Sequence, residues 1–337
     1  MSWEYWPVYI SNIPVALFWL IHAVRARDLF FFSAVNPSIS TGGFFGEEKH
    51  KIYDLIPTEF LPKMVFIAGT TARSNIPSMI GNAGLCYPLV CKPDIGERGR
   101  HVQVIHNPEA LLTYVRKMEG GLIVQEYIDL PLELSIMCYQ YPQSNRSAVT
   151  SICRKVFLHV TGDGQSTLGQ LIDKDPRAIL QKQKLSKRMD LDAVPADGKH
   201  VLLEAIGNHC RGTQFLNAND WITPKLEEVL LSVLSRMQGV CYGRFDLRTA
   251  SIEDLNAGRN FLIMEFNGVG SEPAHIYDPS YSVWRAYRDM WKHWRVLYEI
   301  SREQKANGIT STPWRQGFES LRAYFTNKKK TNLTYGL

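Results

Sequence analysis

The sequence predicts a protein of mixed strands and helices, α+β or α/β, on three observations. Short apolar runs of strand length recur at Leu85–Lys92, Leu122–Tyr127, Leu134–Tyr141, Val149–Val160, Gly243–Leu247 and Phe261–Phe266. Segments of helical period lie among them. The 337 residues, 45% hydrophobic and 21% charged, have an ordinary globular balance, enough for one large domain or two to three intertwined ones.

The chain opens on an aromatic segment. Trp6–Val24 has no formal charge and approaches the roughly 20 residues of a spanning helix. It also holds Pro7, Ser11, Asn12, Pro14 and His22, and its cleaner apolar part is only Val15–Ile21. A spanning helix, a helix lying in a membrane interface and a helix docked on the protein's own core are the three readings, with docking favoured. No basic stretch precedes it and no small-residue cleavage site follows, so a cleaved signal peptide is not expected. Leu29–Ala34 reads as a strand, followed by a loop at Gly42-Gly43 and a turn-rich stretch from Asp54 to Pro88. Pro108–Glu119 reads as a helix with Leu111, Leu112 and Val115 on one face. A second sheet begins near Leu134. Thr223–Met237 is helical in period, with Leu226, Val229, Leu230, Val233, Leu234 and Met237 as its stripe. A later helix aligns Trp284, Tyr287, Trp291, Trp294 and Tyr298, with Arg285, Arg288, Lys292 and Arg295 behind them. That stripe is expected to dock on the core or the N-terminal segment, with a membrane surface as the alternative.

Six cysteines lie in separate stretches with no CxxC pair and no zinc spacing, which points to reduced thiols in a cytoplasmic compartment. The net charge of +5 is scattered and is not a nucleic-acid signature; it suits an anionic nucleotide or carboxylate.

Three constellations carry chemistry. Arg244 and Asp246 are two residues apart on one run, and Glu265 and Asn267 on another, so each pair shares a strand face. If the two strands are antiparallel neighbours, three oxygen donors converge and suit Mg²⁺ against a nucleotide. Arg244 would then neutralise a transferring phosphoryl group. Asp246 alone also reads as a surface acid, whereas Glu265 sits in an apolar run where an unpartnered carboxylate is costly. In the second constellation, Lys92 ends a strand and leads into a loop with Gly96, Arg98, Gly99, Arg100 and His101. Glycine backbone and basic side chains of this kind fold over phosphates, although a solvated hairpin tip looks similar, and neither a Walker A nor a GxGxxG pattern occurs. In the third, Gln125-Glu126-Tyr127-Ile128 runs on to Glu133, a crossing able to follow an adenine edge and reach ribose; an ordinary linker is the alternative.

In this order the three resemble the ATP-grasp superfamily, in the branch of D-alanine–D-alanine ligases, cyanophycin synthetases and glutathione ligases, over roughly Lys63–Pro279. The resemblance implies an α+β ATP-grasp fold, two subdomains clasping ATP. Region 1–62 would be a reduced N-terminal part, 63–133 the lid subdomain, 134–300 the large subdomain with the metal site, and 301–337 a tail. It implies Lys92 and the 96–102 loop on the phosphates, adenine along Gln125–Ile128, and ribose at Glu133. Asp246, Glu265 and Asn267 would hold two Mg²⁺ ions, with Mn²⁺ as a substitute. Arg154 or Lys155, ahead of the Gly162-Asp163-Gly164 turn, would be a further phosphate contact. Lys63 is the candidate second phosphate lysine, closer to Lys92 than the family's spacing. Ser271, Glu272 and His275 fall where the second substrate is held, and His275 reads equally as a structural partner of Asp278. Arg211 is a candidate for a substrate carboxylate.

The activity so implied is ATP-dependent, ADP-forming ligation of a carboxylate to an amine through an acyl-phosphate, on an amino acid or peptide-like substrate. Lys92 and Arg244 would stabilise charge without a covalent enzyme nucleophile. A small-molecule kinase and a nucleotide-binding scaffold docked on a membrane or partner are the other readings. Expected partners are small molecules and not nucleic acid. A homodimer and peripheral contact with the inner face of a membrane are allowed.

Overall fold

Alternating strands build three antiparallel sheets in the computed structural model, which describes residue 3 and residues 6–96 and 99–335. Arg98 lies outside the described residues. The chain starts with α1 (Val8–Ser11) and α2 (Ile13–Ala26), passes a 3₁₀ turn at Phe31–Val35, and reaches α3 (Lys49–Tyr53). Pro14 sits in the first turn of α2, where a missing N–H breaks no helical bond.

A four-stranded unit follows: β1 (Met64–Ile67), α4 (Ile76–Asn82), β2 (Leu89–Pro93), β3 (Gln103–Ile105), α5 (Pro108–Lys117) and β4 (Leu122–Glu126). Its strands lie in the order β1-β4-β2-β3. Asn107 caps α5 through the Ala110 N–H, and Leu111, Tyr114 and Val115 pack onto the sheet with Leu89 and Val124.

The large sheet takes β5 (Leu132–Gln140) and β6 (Ser147–Val156). The chain then leaves it for a separate pair, β7 (His159–Thr161) and β8 (His200–Leu202), between which lie α6 (Leu168–Lys174) and α7 (Lys182–Leu185). It returns with β9 (Gln214–Asn217), crosses α8 (Pro224–Arg236), and adds β10 (Tyr242–Thr249), α9 (Ile252–Asn256) and β11 (Phe261–Asn267). The order is β11-β10-β5-β6-β9. α10 (Val283–Ala306) and α11 (Trp314–Tyr335) complete the chain.

The period of two divides the large sheet. One face, with Leu134, Ile136, Phe245, Leu247 and Ile263, packs against Leu226, Leu230, Val233 and Leu234 of α8. On the other face Met137 and Tyr242 lie under Trp294, Leu297 and Tyr298 of α10, while the opposite end of those strands is left to a cleft. Residues 49–56 join both halves, since Ile52, Tyr53 and Ile56 enter the main core.

Several expectations need correction. Leu29–Ala34 is not a strand: Phe31 and Phe32 are buried in a 3₁₀ turn closed by the Ser33 hydroxyl on the Phe30 carbonyl, and packing on Trp294 outweighs strand propensity. The run Val149–Val160 is two strands in two sheets. The turn-rich stretch from Asp54 holds β1 and α4, and the expected tail carries α11. Within the aromatic stripe Trp284 is 80% exposed, whereas Trp294 and Tyr298 are buried. α2 docks on this helix: Phe18 meets Trp291 edge-on at 5.2 Å, and His22 lies against Trp291 and Tyr298. No helix among the described residues is long and apolar enough to cross a membrane.

A candidate nucleotide and metal cleft between the sheets

Antiparallel pairing puts the polar residues of β11, β10, β5 and β6 into rows across the cleft face. Asn267 is opposite Arg244, Glu265 opposite Asp246, and Asp246 opposite Ser135. Arg248 is opposite Glu133, and Glu133 opposite Lys155. The spacing of two along each strand and direct opposition between strands bring these groups together. They line a cleft of about 590 Å³.

Asp246 is the hub. Its Oδ1 accepts the Ser135 hydroxyl and lies 3.5 Å from Lys155 Nζ; its Oδ2 accepts Arg244 Nη2 at 3.3 Å and Asn267 Nδ2 at 3.0 Å. Burial pushes this carboxyl up, but Arg244, Lys155 and the Ser135 hydroxyl outweigh it and hold it at about 2. Because Asn267 points its amide N–H at Asp246, its carbonyl oxygen is the side chain's remaining donor to a cation. Glu265 is one-third exposed toward the cleft, with Lys49 Nζ at 3.4 Å from Oε1. Two carboxylates and an amide oxygen on one strand pair are a hard-oxygen set that fits Mg²⁺. Arg244 Nε is buried without a partner, and so is Gln125 Nε2, as expected of groups waiting for a ligand oxygen.

A register shift on β11 shapes this wall. Asp246 pairs with Glu265 but Leu247 pairs with Ile263, so Met264 is the bulged residue. Its carbonyl accepts Lys92 Nζ at 3.0 Å and the Tyr53 hydroxyl at 2.7 Å. Lys92 also donates to Gln125 Oε1 at 3.0 Å. Burial, only partly offset by Glu265, lowers its ammonium to about 8.

Gly96, Gly99, Gln125, Glu126, Tyr127, Ile128 and Glu133 line the cleft. Glu133 is fully engaged: Oε1 accepts Lys155 at 3.1 Å and Oε2 accepts Arg248 Nε at 3.0 Å. Of the pair Arg154 and Lys155, Lys155 enters the site and Arg154 is exposed on the far side. Ser271 and Glu272 line the cleft, and Arg244 Nη1 donates to the Glu272 carbonyl.

Four candidates are placed otherwise. Lys63 is exposed, with its ammonium beside Gly84. Lys49, further upstream, instead reaches both Glu265 and the Gly96 carbonyl. His275 is buried beneath α10, its ring held by Ser151 Oγ at 2.7 Å and near Asp289 at 3.5 Å, while Asp278 meets it only through its backbone N–H on the His275 carbonyl. Arg211 donates to the Gly99 and Val102 carbonyls, at 2.7 and 3.3 Å, and ties the 99–102 loop to the turn ahead of β9. His101 takes a left-handed backbone (φ 58°), gives its carbonyl to Tyr114, and faces α5 rather than the cleft. Lys49 and Arg248 escaped the sequence reading. Arg248 lay two residues beyond Asp246 and was legible by the same parity, while Lys49, on a five-residue helix, offered no periodic signal.

No family model matches the chain. Over 235 residues it is 26% identical to a cyanophycin synthetase of Synechocystis sp., covering 62% of this chain and 26% of that protein. Over 87 residues it is 28% identical to a formate-dependent phosphoribosylglycinamide formyltransferase of Sulfolobus acidocaldarius, covering 24% of this chain and 21% of that one. The chain thus spans about a quarter of the length of the curated relatives it matches. The D-alanine–D-alanine ligase structure from Bacillus anthracis aligns at 14% identity and a TM-score of 0.42, over 77% of this chain and 68% of that one. The chain is similar to proteins of the ATP-grasp superfamily. Within that superfamily the chain resembles the carboxylate–amine ligases.

Proposed function

We propose that the protein is an ATP-dependent ligase that activates a carboxylate as an acyl-phosphate and transfers the acyl group to an amine. The observation that carries this reading is the row of Glu265, Asp246 and Ser135 beside the row of Asn267 and Arg244, with Lys92 and Lys155 on either side. Lys49, Lys92, Lys155, Arg244 and Arg248 stand among the carboxylates Glu133, Asp246 and Glu265, cations able to meet phosphate oxygens.

Asp246, Glu265 and Asn267 would hold Mg²⁺, or Mn²⁺ in its place, and two such ions would supply charge neutralisation at the phosphate oxygens. Lys92 and Lys155 bind the triphosphate, and residues 99–102, latched by Arg211, cover it. The hinge at Gln125–Ile128 holds the adenine. Arg244 orients the substrate carboxylate and stabilises the charge that builds as the γ-phosphoryl group moves. Glu265→Gln keeps the shape of the side chain and removes its charge. It is expected to abolish ADP release while leaving circular dichroism and the melting temperature near wild type. Undiminished ADP release by the folded variant would remove the metal assignment. ADP release that needs no added amine would point to a kinase.

A further inference from the structure

Beside the cleft lies a second chamber of about 420 Å³, between α2, the Phe31–Val35 turn, α10 and α11. Val15, Trp19, Phe30, Met290, Trp294 and Leu297 are among its walls. This is almost three times the roughly 150 Å³ that admits one benzene, room for a hydrocarbon of roughly ten carbons. The chamber and the cleft share Phe44, Phe45, Gly270, Ser271 and Glu272, so one molecule can occupy both.

Its polar groups are few and mostly satisfied internally. Tyr242 Oη and His293 Nδ1 bond each other at 2.9 Å, and His293 Nε2 faces Thr150 Oγ1 at 3.4 Å. Burial lowers His293 to about 4, so it is neutral at pH 7. The Ser271 hydroxyl donates to the Gly268 carbonyl. Among the described lining residues Glu272 is the one acid, and no lysine or arginine is present. A carboxylate entering here would meet an acid; an ammonium would meet its complement. Leu29 and Phe318, 41% and 48% exposed, form an open apolar rim.

We propose that the chamber binds the amine substrate, and that this amine carries an alkyl chain or ring system of roughly ten carbons whose nitrogen lies at Glu272 on the border of the cleft. This rests on the ligase reading. The amine nitrogen attacks the acyl-phosphate carbonyl, the new C–N bond forms as the C–O bond to phosphate breaks, and phosphate leaves with the electron pair. The two surplus protons of the original ammonium pass to phosphate and solvent.

The test uses the full-length protein with decylamine, butylamine, decanol and decanoate, followed by calorimetry and by the fluorescence of Trp19 and Trp294. Decylamine is expected to bind at one saturable site. Butylamine, six methylenes shorter, should bind weaker by on the order of a hundredfold or more. Glu272→Gln should erase the preference for decylamine over decanol. Ala16→Trp, on the chamber wall, should weaken decylamine at least about tenfold, with an unchanged melting temperature reporting the fold. Equal binding of the two amines overturns the proposal. So does decanol binding as well as decylamine to the wild type, which would make the chamber a lipid-docking groove. ATP-dependent ligation of a small amine without decylamine binding overturns the chamber assignment alone. Decylamine binding without ADP release under any substrate pair upholds the chamber as an amine site and removes the ligase reading.

Discussion

Lys155→Met tests whether the charged rows behave as one buried network. The ammonium lies 3.1 Å from Glu133 Oε1 and 3.5 Å from Asp246 Oδ1, and all three side chains are less than a tenth exposed. Burial alone would lower the Lys155 pKa, but the two carboxylates outweigh it and raise it, so the residue is charged in the fold. Methionine keeps the length and removes the charge, leaving two carboxylates on adjacent strands short of a cation. Breaking a buried pair in this way costs about 3–5 kcal/mol. The unfolding entropy, at about 2.1 cal/mol/K per residue, comes to about 0.7 kcal/mol/K for this chain, so the midpoint should fall by roughly 4–7 °C. Differential scanning calorimetry at pH 7 measures it. Adding Glu133→Gln removes one of the stranded charges, so the double variant should be less destabilised than the sum of the singles by at least about 1 kcal/mol. A Lys155→Met midpoint within about 1 °C of wild type, or strict additivity, would refute the network.

Lys92→Ala should weaken ATP far more than adenosine in equilibrium binding, because its proposed contact is to phosphate; equal weakening would make Lys92 a structural residue. His293 is held neutral by burial, with a folded pKa of about 4 against an ordinary value of 6.5, so between these values the unfolded chain binds more protons. Its stabilisation is therefore complete above pH 6.5 and lost as pH falls toward 4, by about 3 kcal/mol in all; His293→Gln should flatten the urea-midpoint profile in that window, and an unchanged slope would remove the assignment. Deleting residues 1–24 uncovers Trp291 and Tyr298 on α10 and forfeits the packing of the partly buried Val15, Phe18 and Trp19, each worth less than the about 1.5–3 kcal/mol of a fully buried side chain. The truncated protein should aggregate in size-exclusion chromatography, and a monodisperse, folded product would show that α2 is dispensable.

Parity made the core of the site legible. Arg244 with Asp246, and Glu265 with Asn267, share faces because each pair is two residues apart, and one pairing register then brings the four together. The same rule could not choose between Arg154 and Lys155, since adjacent residues face opposite ways and only the register against Glu133 selects Lys155. Arg211 was misassigned for another reason: its carbonyl partners, Gly99 and Val102, lie more than a hundred residues away, and no local pattern announces such a latch. Phe30-Phe31-Phe32 has strand composition, yet the aromatics of α10 form a pocket that a turn fills better. Tertiary packing, invisible to local propensity, decided it.

The Met264 bulge shows how the parts of the cleft are coupled. In an uninterrupted ladder Met264 would alternate with Glu265 and its carbonyl would pair with β10. The extra residue lets Met264 and Glu265 both line the cleft and turns that carbonyl toward Lys92 and Tyr53. One backbone oxygen therefore touches β2 through Lys92, α3 through Tyr53, and, by sequence, the strand of Glu265. Lys49, at the start of α3, holds Glu265 and the Gly96 carbonyl of the loop. Moving the four-stranded sheet relative to the large sheet must then strain or break contacts at Lys92, Tyr53 and Lys49 together. On the proposed reading, a phosphate drawing Lys92 away from Met264 would loosen the same joint that positions Glu265, and nucleotide binding would be linked to the alignment of the acidic wall through residues on three different elements.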